Sequence, residues 1–172
     1  MAAIIPTNGL NIMVDKFRLT TNLSTNEAEP ISSNLSRVDD SGSYSDVAGN
    51  ALINPGMTVS SGVFTFPSTG KYHVEFVTSF GSTSDERYVG TYISFTTNNG
   101  TSYYTATTGY ESIEDADSST SYAMIYSDCY LDITDTANDK VRFNVNAYST
   151  TLFVGDAARD YTYMTFTRVG DT

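Results

Sequence analysis

Apolar and polar residues alternate along much of this chain, most cleanly in residues 58–80. Tyr72, Val74, Phe76 and Phe80 fall on one face, and Lys71, His73, Glu75 and Ser79 on the other. Period two with one apolar face predicts a strand half-buried in an antiparallel sheet. Just before it, Phe64 and Phe66 oppose Val63 and Thr65, after Gly62. Pro67-Ser68-Thr69-Gly70 lies between the two runs. It is turn chemistry, because proline presets φ and glycine accepts a positive φ. The stretch predicts two strands joined as a hairpin, too apolar to stand alone and needing a second sheet over it.

The same alternation recurs elsewhere. Phe17 and Leu19 point inward while Lys16 and Arg18 point outward. Residues 20–54 are rich in Ser, Asn, Asp and Gly, too long for a plain loop, with a short strand expected at 35–38. In residues 88–95, Val89, Ile93 and Phe95 share a face, and Asn98-Asn99-Gly100 predicts a type I′ turn before a return strand at 103–108. Residues 111–120 read as an acidic, serine-rich loop. In residues 122–133, Ala123, Ile125, Cys129 and Leu131 take one face and Tyr122, Met124, Tyr126 and Tyr130 the other. A strand apolar on both faces in an antiparallel protein points to a subunit contact. Val141, Phe143 and Val145 mark another strand, and residues 161–169 the last. No segment sustains a 3.6-residue period with caps, so no substantial helix is expected.

Residues 1–13 read as an arm and residues 14–172 as a single domain. Ile4, Ile5, Leu10, Ile12 and Met13 are the arm's apolar residues, interrupted by Pro6 and Asn8-Gly9. The arm either tucks against its own domain or docks on a neighbouring subunit. It has no basic leader region, so a signal peptide is not expected. No apolar run approaches a membrane span.

Composition narrows the class. The chain has 172 residues, 13 Tyr, 9 Phe and no Trp, and only 17% of it is charged. Abundant Thr, Ser, Tyr and Val suits strands. The formal net charge of −11 disfavours nucleic acid, whose backbone such a surface repels. Cys129 is the single cysteine, so no internal disulfide can form, and its apolar face predicts an unreactive thiol.

The run G-x-F-x-F, turn, G-x-Y-x-V-x-F at residues 62–76 resembles the central strands of the complement globular-head and tumour-necrosis-factor superfamily. YLDITDTANDKVRFNV at 130–145 is similar to that family's apolar strand, turn and following strand, although Asn138-Asp139 replaces the usual glycine-aspartate. YTYMTFTRVG at 161–170 looks like its closing strand. The resemblance implies an all-β, antiparallel two-sheet jelly-roll sandwich assembling as a homotrimer. It also implies an axis-proximal place for Tyr126, against a plain surface or core role. FRLT at 17–20, GMTVSSGVFTFPSTGKY at 56–72 and FTRVGDT at 166–172 resemble small virion proteins of tailed, especially marine, bacteriophages. That likeness implies a capsid decoration (cement) protein on the capsid exterior, made in the host cytoplasm and bound to the major capsid protein or other virion proteins. The alternative is a tail-fibre tip or receptor-binding module that recognises host surface glycans.

Little in the chain suggests catalysis. His73 falls on an outward strand face, away from the pocket that a Ser-His-Asp arrangement needs. No carboxylate pair stands out, and Thr69-Gly70-Lys71 lacks the rest of a phosphate loop. The expectation is that the protein is not an enzyme. Glu114, Asp115 and Asp117 crowd one loop without the EF-hand pattern. They are either solvated or a calcium site, calcium being the one cofactor candidate. Tyr44 and Tyr110, taken as loop tyrosines, could stack on sugars, but ordinary packing is the expectation.

Overall fold

The computed structural model describes residues 12–38, 55–117 and 119–172. Eleven strands are present among them: β1 (Met13–Leu19), β2 (Thr21–Ala28), β3 (Leu35–Arg37), β4 (Thr58–Ser60), β5 (Val63–Thr65), β6 (Gly70–Ser82), β7 (Glu86–Thr96), β8 (Tyr104–Ile113), β9 (Ser121–Ile133), β10 (Lys140–Asp156) and β11 (Tyr163–Gly170). No helix occurs among the described residues. Every pairing is antiparallel.

The front layer runs β3-β1-β11-β6-β9. The back layer runs β4-β5-β10-β7-β8, and β2 takes over from β5 beside the later part of β10. The layers join where Leu152 and Phe153 of β10 pair with Gly81 and Phe80 of β6. Aromatic rings fill the space between them. Phe17 meets Phe64 at 5.1 Å edge-on, Phe64 meets Phe166 at 5.1 Å, and Phe76 meets Phe143 at 5.1 Å. Edge-to-face and tilted contacts of this kind suit the ring quadrupole. Tyr72, Val74, Phe76 and Phe80, predicted to share a face, are all fully buried.

The hairpin expected within residues 58–80 is not one. β5 pairs with β10 in the back layer, whereas β6 pairs with β9 and β11 in the front. Pro67–Gly70 therefore carries the chain from one layer to the other. The two-residue hairpin lies earlier, between β4 and β5. Ser61 (φ 49°) and Gly62 (φ 77°) are both left-handed there, as a type I′ turn needs. A Cβ on Gly62 would stand 2.3 Å from the Ile31 carbonyl oxygen, so the position is closed to side chains. Asn98-Asn99-Gly100 turns as expected. Asn99 and Gly100 have positive φ, and Thr101 N donates to Asn98 O at 3.3 Å.

Three further expectations change. β2 occupies part of the stretch read as loop. Tyr110 lies on β8 rather than in a loop, and Tyr44 lies outside the described residues. Met13, assigned to the arm and its contacts, begins β1 and is 2% exposed within the protomer's own core. It is a core residue, closed to any neighbour.

Asp15 and Glu86 are buried carboxylates with several partners each. Asp15 accepts from Arg37 Nε (2.9 Å) and Nη2 (3.1 Å) and from the amides of Met57 (2.7 Å) and Lys16 (2.9 Å). Glu86 accepts from Ser149 N (3.0 Å), Ser149 Oγ (2.5 Å) and Thr151 Oγ1 (3.1 Å). Asp15 thus ties β1 to β3 and to the start of the β4 segment. Glu86 ties β7 to β10.

Candidate functional site

The outward face of the front layer is set by register. Tyr163, Val77 and Tyr126 stand in one row across β11, β6 and β9; Thr165, Glu75 and Asp128 form the next, and Thr167, His73 and Tyr130 the one after. On β9 the outward side is open and rich in large side chains: Tyr122 is 66% exposed, Met124 62% and Tyr126 53%, and beyond Asp128 Tyr130 is 71% exposed. Beside Tyr122 and Met124, Tyr161 and Val154 complete an open apolar cleft of about 720 Å3. Such a strip of large apolar side chains on one face marks an interaction surface. Tyr122, Tyr126 and Tyr130, singled out from the sequence, all stand on it. Ile12 is 47% exposed at the start of β1, while Ile4, Ile5 and Leu10 lie outside the described residues.

Polar neighbours hold this face in place. Tyr126 Oη donates to Glu75 Oε1 at 3.0 Å. Its phenol is pushed up to about 12, by desolvation first and then by the Glu75 carboxylate. His73 lies on the outward strand face as expected, but its side chain is only 20% exposed. Its Nε2 lies 2.8 Å from Asp128 Oδ2, and its ring stacks on Tyr130 at 4.6 Å and 21°. Both partners come from β9: Tyr130 is directly opposite His73 and Asp128 is the next outward residue along the strand. Histidine here braces the tyrosine face. Cys129, on the inward side of the same strand, has its thiol pushed up to about 11 by burial and then by Asp128.

Among the described residues no three His, Cys, Asp or Glu side chains gather into a group able to hold a metal ion. Glu114, Asp115 and Asp117 are exposed. Asp115 N donates to Asp85 Oδ1 at 2.8 Å, and Asp117 Oδ1 accepts from Ser119 N at 3.0 Å. The carboxylates of this region organise local backbone.

A polar cleft on the other layer escaped the sequence reading. Arg142, Asn144 and Asn146 of β10 share it with Tyr92 of β7, Tyr103, and Glu27 and Glu29 at the end of β2. These residues form no local motif. The available signal was polar alternation in β10 opposite Val141, Phe143 and Val145.

Solved structures share the architecture. Eiger TNF from S. frugiperda superposes with a TM-score of 0.66 at 12% identity, covering 94% of this chain and 94% of that one. The fold is TNF-like. Murine APRIL at pH 5.0 gives a TM-score of 0.63 at 12% identity, covering 92% of this chain and 99% of that one. Murine APRIL at pH 8.5 gives 0.62, also at 12% identity, with the same coverage. At such identities the likeness establishes the TNF-like jelly roll and nothing finer. No protein-family model and no curated protein matches the chain.

Proposed function

We propose that this chain is a structural virion protein that works by assembly rather than catalysis: a homotrimeric decoration protein on the outside of a phage head. The observation that carries the assembly is the β9 face, where Tyr122, Met124 and Tyr126 follow one another and Tyr130 stands beyond Asp128, all four more than half exposed. Covering that face with a second copy removes these large side chains from water. The threefold comes from the resemblance to the tumour-necrosis-factor superfamily, and the virion role from the resemblance to small phage proteins.

In this reading a rigid trimer bridges neighbouring shell subunits. Ile4, Ile5, Leu10 and Ile12 supply the apolar contact to the shell, while the net charge of −11 per chain keeps decorated particles apart. The test is copy number and assembly together. Decoration requires a trimer in solution and hundreds of copies per particle. A few trimers per particle, with binding of the isolated protein to host cells, would instead indicate a receptor-binding tip. A monomer at every concentration would remove the proposal altogether.

A further inference from the structure

The β9 face carries ionisable groups among its tyrosines, and their balance bears on when that face can be covered. His73 Nε2 lies 2.8 Å from Asp128 Oδ2, and the imidazole stacks on the Tyr130 ring. Tyr130 is mostly exposed. A neighbour that covers it also closes over the imidazole and over Asp128, whose side chain is still 41% exposed in the protomer.

The other groups around His73 fall into place strand by strand. On β6, Lys71 and Glu75 flank it on the same face. Lys71 Nζ pairs with Asp132 of β9 at 3.6 Å, and Glu75 Oε1 accepts from the Tyr126 hydroxyl at 3.0 Å. On β9, Tyr130 stands directly opposite, with Asp128 and Asp132 at the next outward positions on either side. On β11, Thr167 stands opposite and Thr165 beside it, and neither carries a charge. Lys16 of β1, opposite Thr165, pairs with Asp160 at 2.6 Å. Lys71 and Asp132 cancel. Glu75 and Asp128 are then the carboxylates of this face with no permanent cation beside them. The Tyr126 phenol registers their field: after desolvation and the Glu75 carboxylate, Asp128 also pushes it up.

We infer that proton uptake by His73 promotes assembly through the β9 face. The inference rests on the trimer proposed above and concerns how that contact is controlled. With a neutral imidazole, covering the face buries Asp128 as an uncompensated negative charge in every subunit. Taking such a charge out of water is costly. A protonated imidazole keeps the same 2.8 Å contact, still donating from Nε2, and turns it into a charge-assisted pair of zero net charge. Histidine is the side chain whose charge ordinarily changes between pH 5 and 8, a range in which carboxylates ordinarily stay ionised. Assembly that takes up protons is favoured on the acidic side of that window. It weakens as the pH rises and the imidazole gives up its proton, the direction for a basic group that gains a partner.

The test is the trimer midpoint concentration of the full chain at pH 8 and pH 6, at constant salt, by light scattering coupled to size exclusion. Uptake of about half a proton per subunit across those two pH steps should lower the midpoint roughly thirtyfold at pH 6. His73→Gln keeps an amide donor for Asp128 but does not titrate, so it should lose most of that response. Asp128→Asn removes the buried charge itself and should bring the pH 8 midpoint down toward the pH 6 value. A trimer with the same midpoint at both pH values, or a tighter one at pH 8, overturns this inference and leaves the trimer standing. So does a His73→Gln variant with the full response, or an Asp128→Asn variant no tighter than the native chain at pH 8. A monomer at both pH values and every concentration overturns the trimer itself, and this inference with it.

Discussion

The β9 face makes a quantitative prediction for the double variant Tyr126→Ala/Tyr130→Ala. Tyr126 is 53% and Tyr130 71% exposed in the protomer, so roughly half to two-thirds of each ring is available to a neighbour. A tyrosine spans about 200 Å2, which leaves roughly 110 and 140 Å2 for burial. At about 25 cal/mol per Å2 the two together reach about 6 kcal/mol per subunit as an upper bound. Interfaces realise only part of such area, and these rings also carry hydroxyls, so about 3 kcal/mol per subunit is a working figure. Three subunits then lose about 9 kcal/mol, a factor of more than 10⁶ in the trimer dissociation constant. Because that constant scales with the square of the midpoint concentration, the midpoint should rise roughly a thousandfold. Light scattering coupled to size exclusion, run over a dilution series, reads this directly. Circular dichroism controls for folding, which truncation of exposed side chains should leave intact. A trimer whose midpoint is unmoved in the double variant would refute the assignment of this face.

Three further predictions concern the protomer. Asp15→Ala should cost about 3–5 kcal/mol in chemical denaturation, because Arg37 and the buried Met57 amide lose their common acceptor; a loss under 1 kcal/mol would show that the pair contributes little. Gly62→Ala should destabilise by about 2 kcal/mol or more, since the left-handed turn and the Ile31 carbonyl both exclude a Cβ, and an unchanged melting temperature would contradict that. Cys129 should resist alkylation. With its thiol at about 11 rather than the ordinary 9.0, the reactive thiolate is depleted at any pH below both values, so the rate at pH 8 should be about a hundredfold below that of a free thiol and climb as pH approaches 11. Rapid labelling at pH 8 would show the strand open there.

Much of the front layer was legible because its strands are long and regular. β6 and β9 keep one phase along their length, with Val77 and Thr78 of β6 the exception to its polarity pattern, and the outward tyrosines of β9 followed from that phase. Partner choice was less accessible. Pro67–Gly70 shows where the chain bends, but turn chemistry is the same for a hairpin and for a crossing between layers; the deciding contacts of β5 are with Val141 and its neighbours on β10, far along the chain. β2 was missed because TNLSTNEA offers only Leu23 and Ala28 as apolar anchors, and its backbone bonds to β10 require no apolar face. Asp15 was detectable in principle. It shares the inward phase of Phe17 and Leu19, and a carboxylate in that phase needs a cationic partner. The partners of His73 and the cleft around Asn144 were beyond a local reading, because Asp128 lies 55 residues from His73 and the cleft gathers β2, β7 and β10.

β1 and β11 lie side by side and antiparallel, with Met13 opposite Arg168. Anything joined ahead of Met13 or beyond Arg168 must leave from the same rim of the molecule. A crosslink between residues 13 and 168 would therefore bridge neighbouring backbone at that rim and need no rearrangement of the sheet.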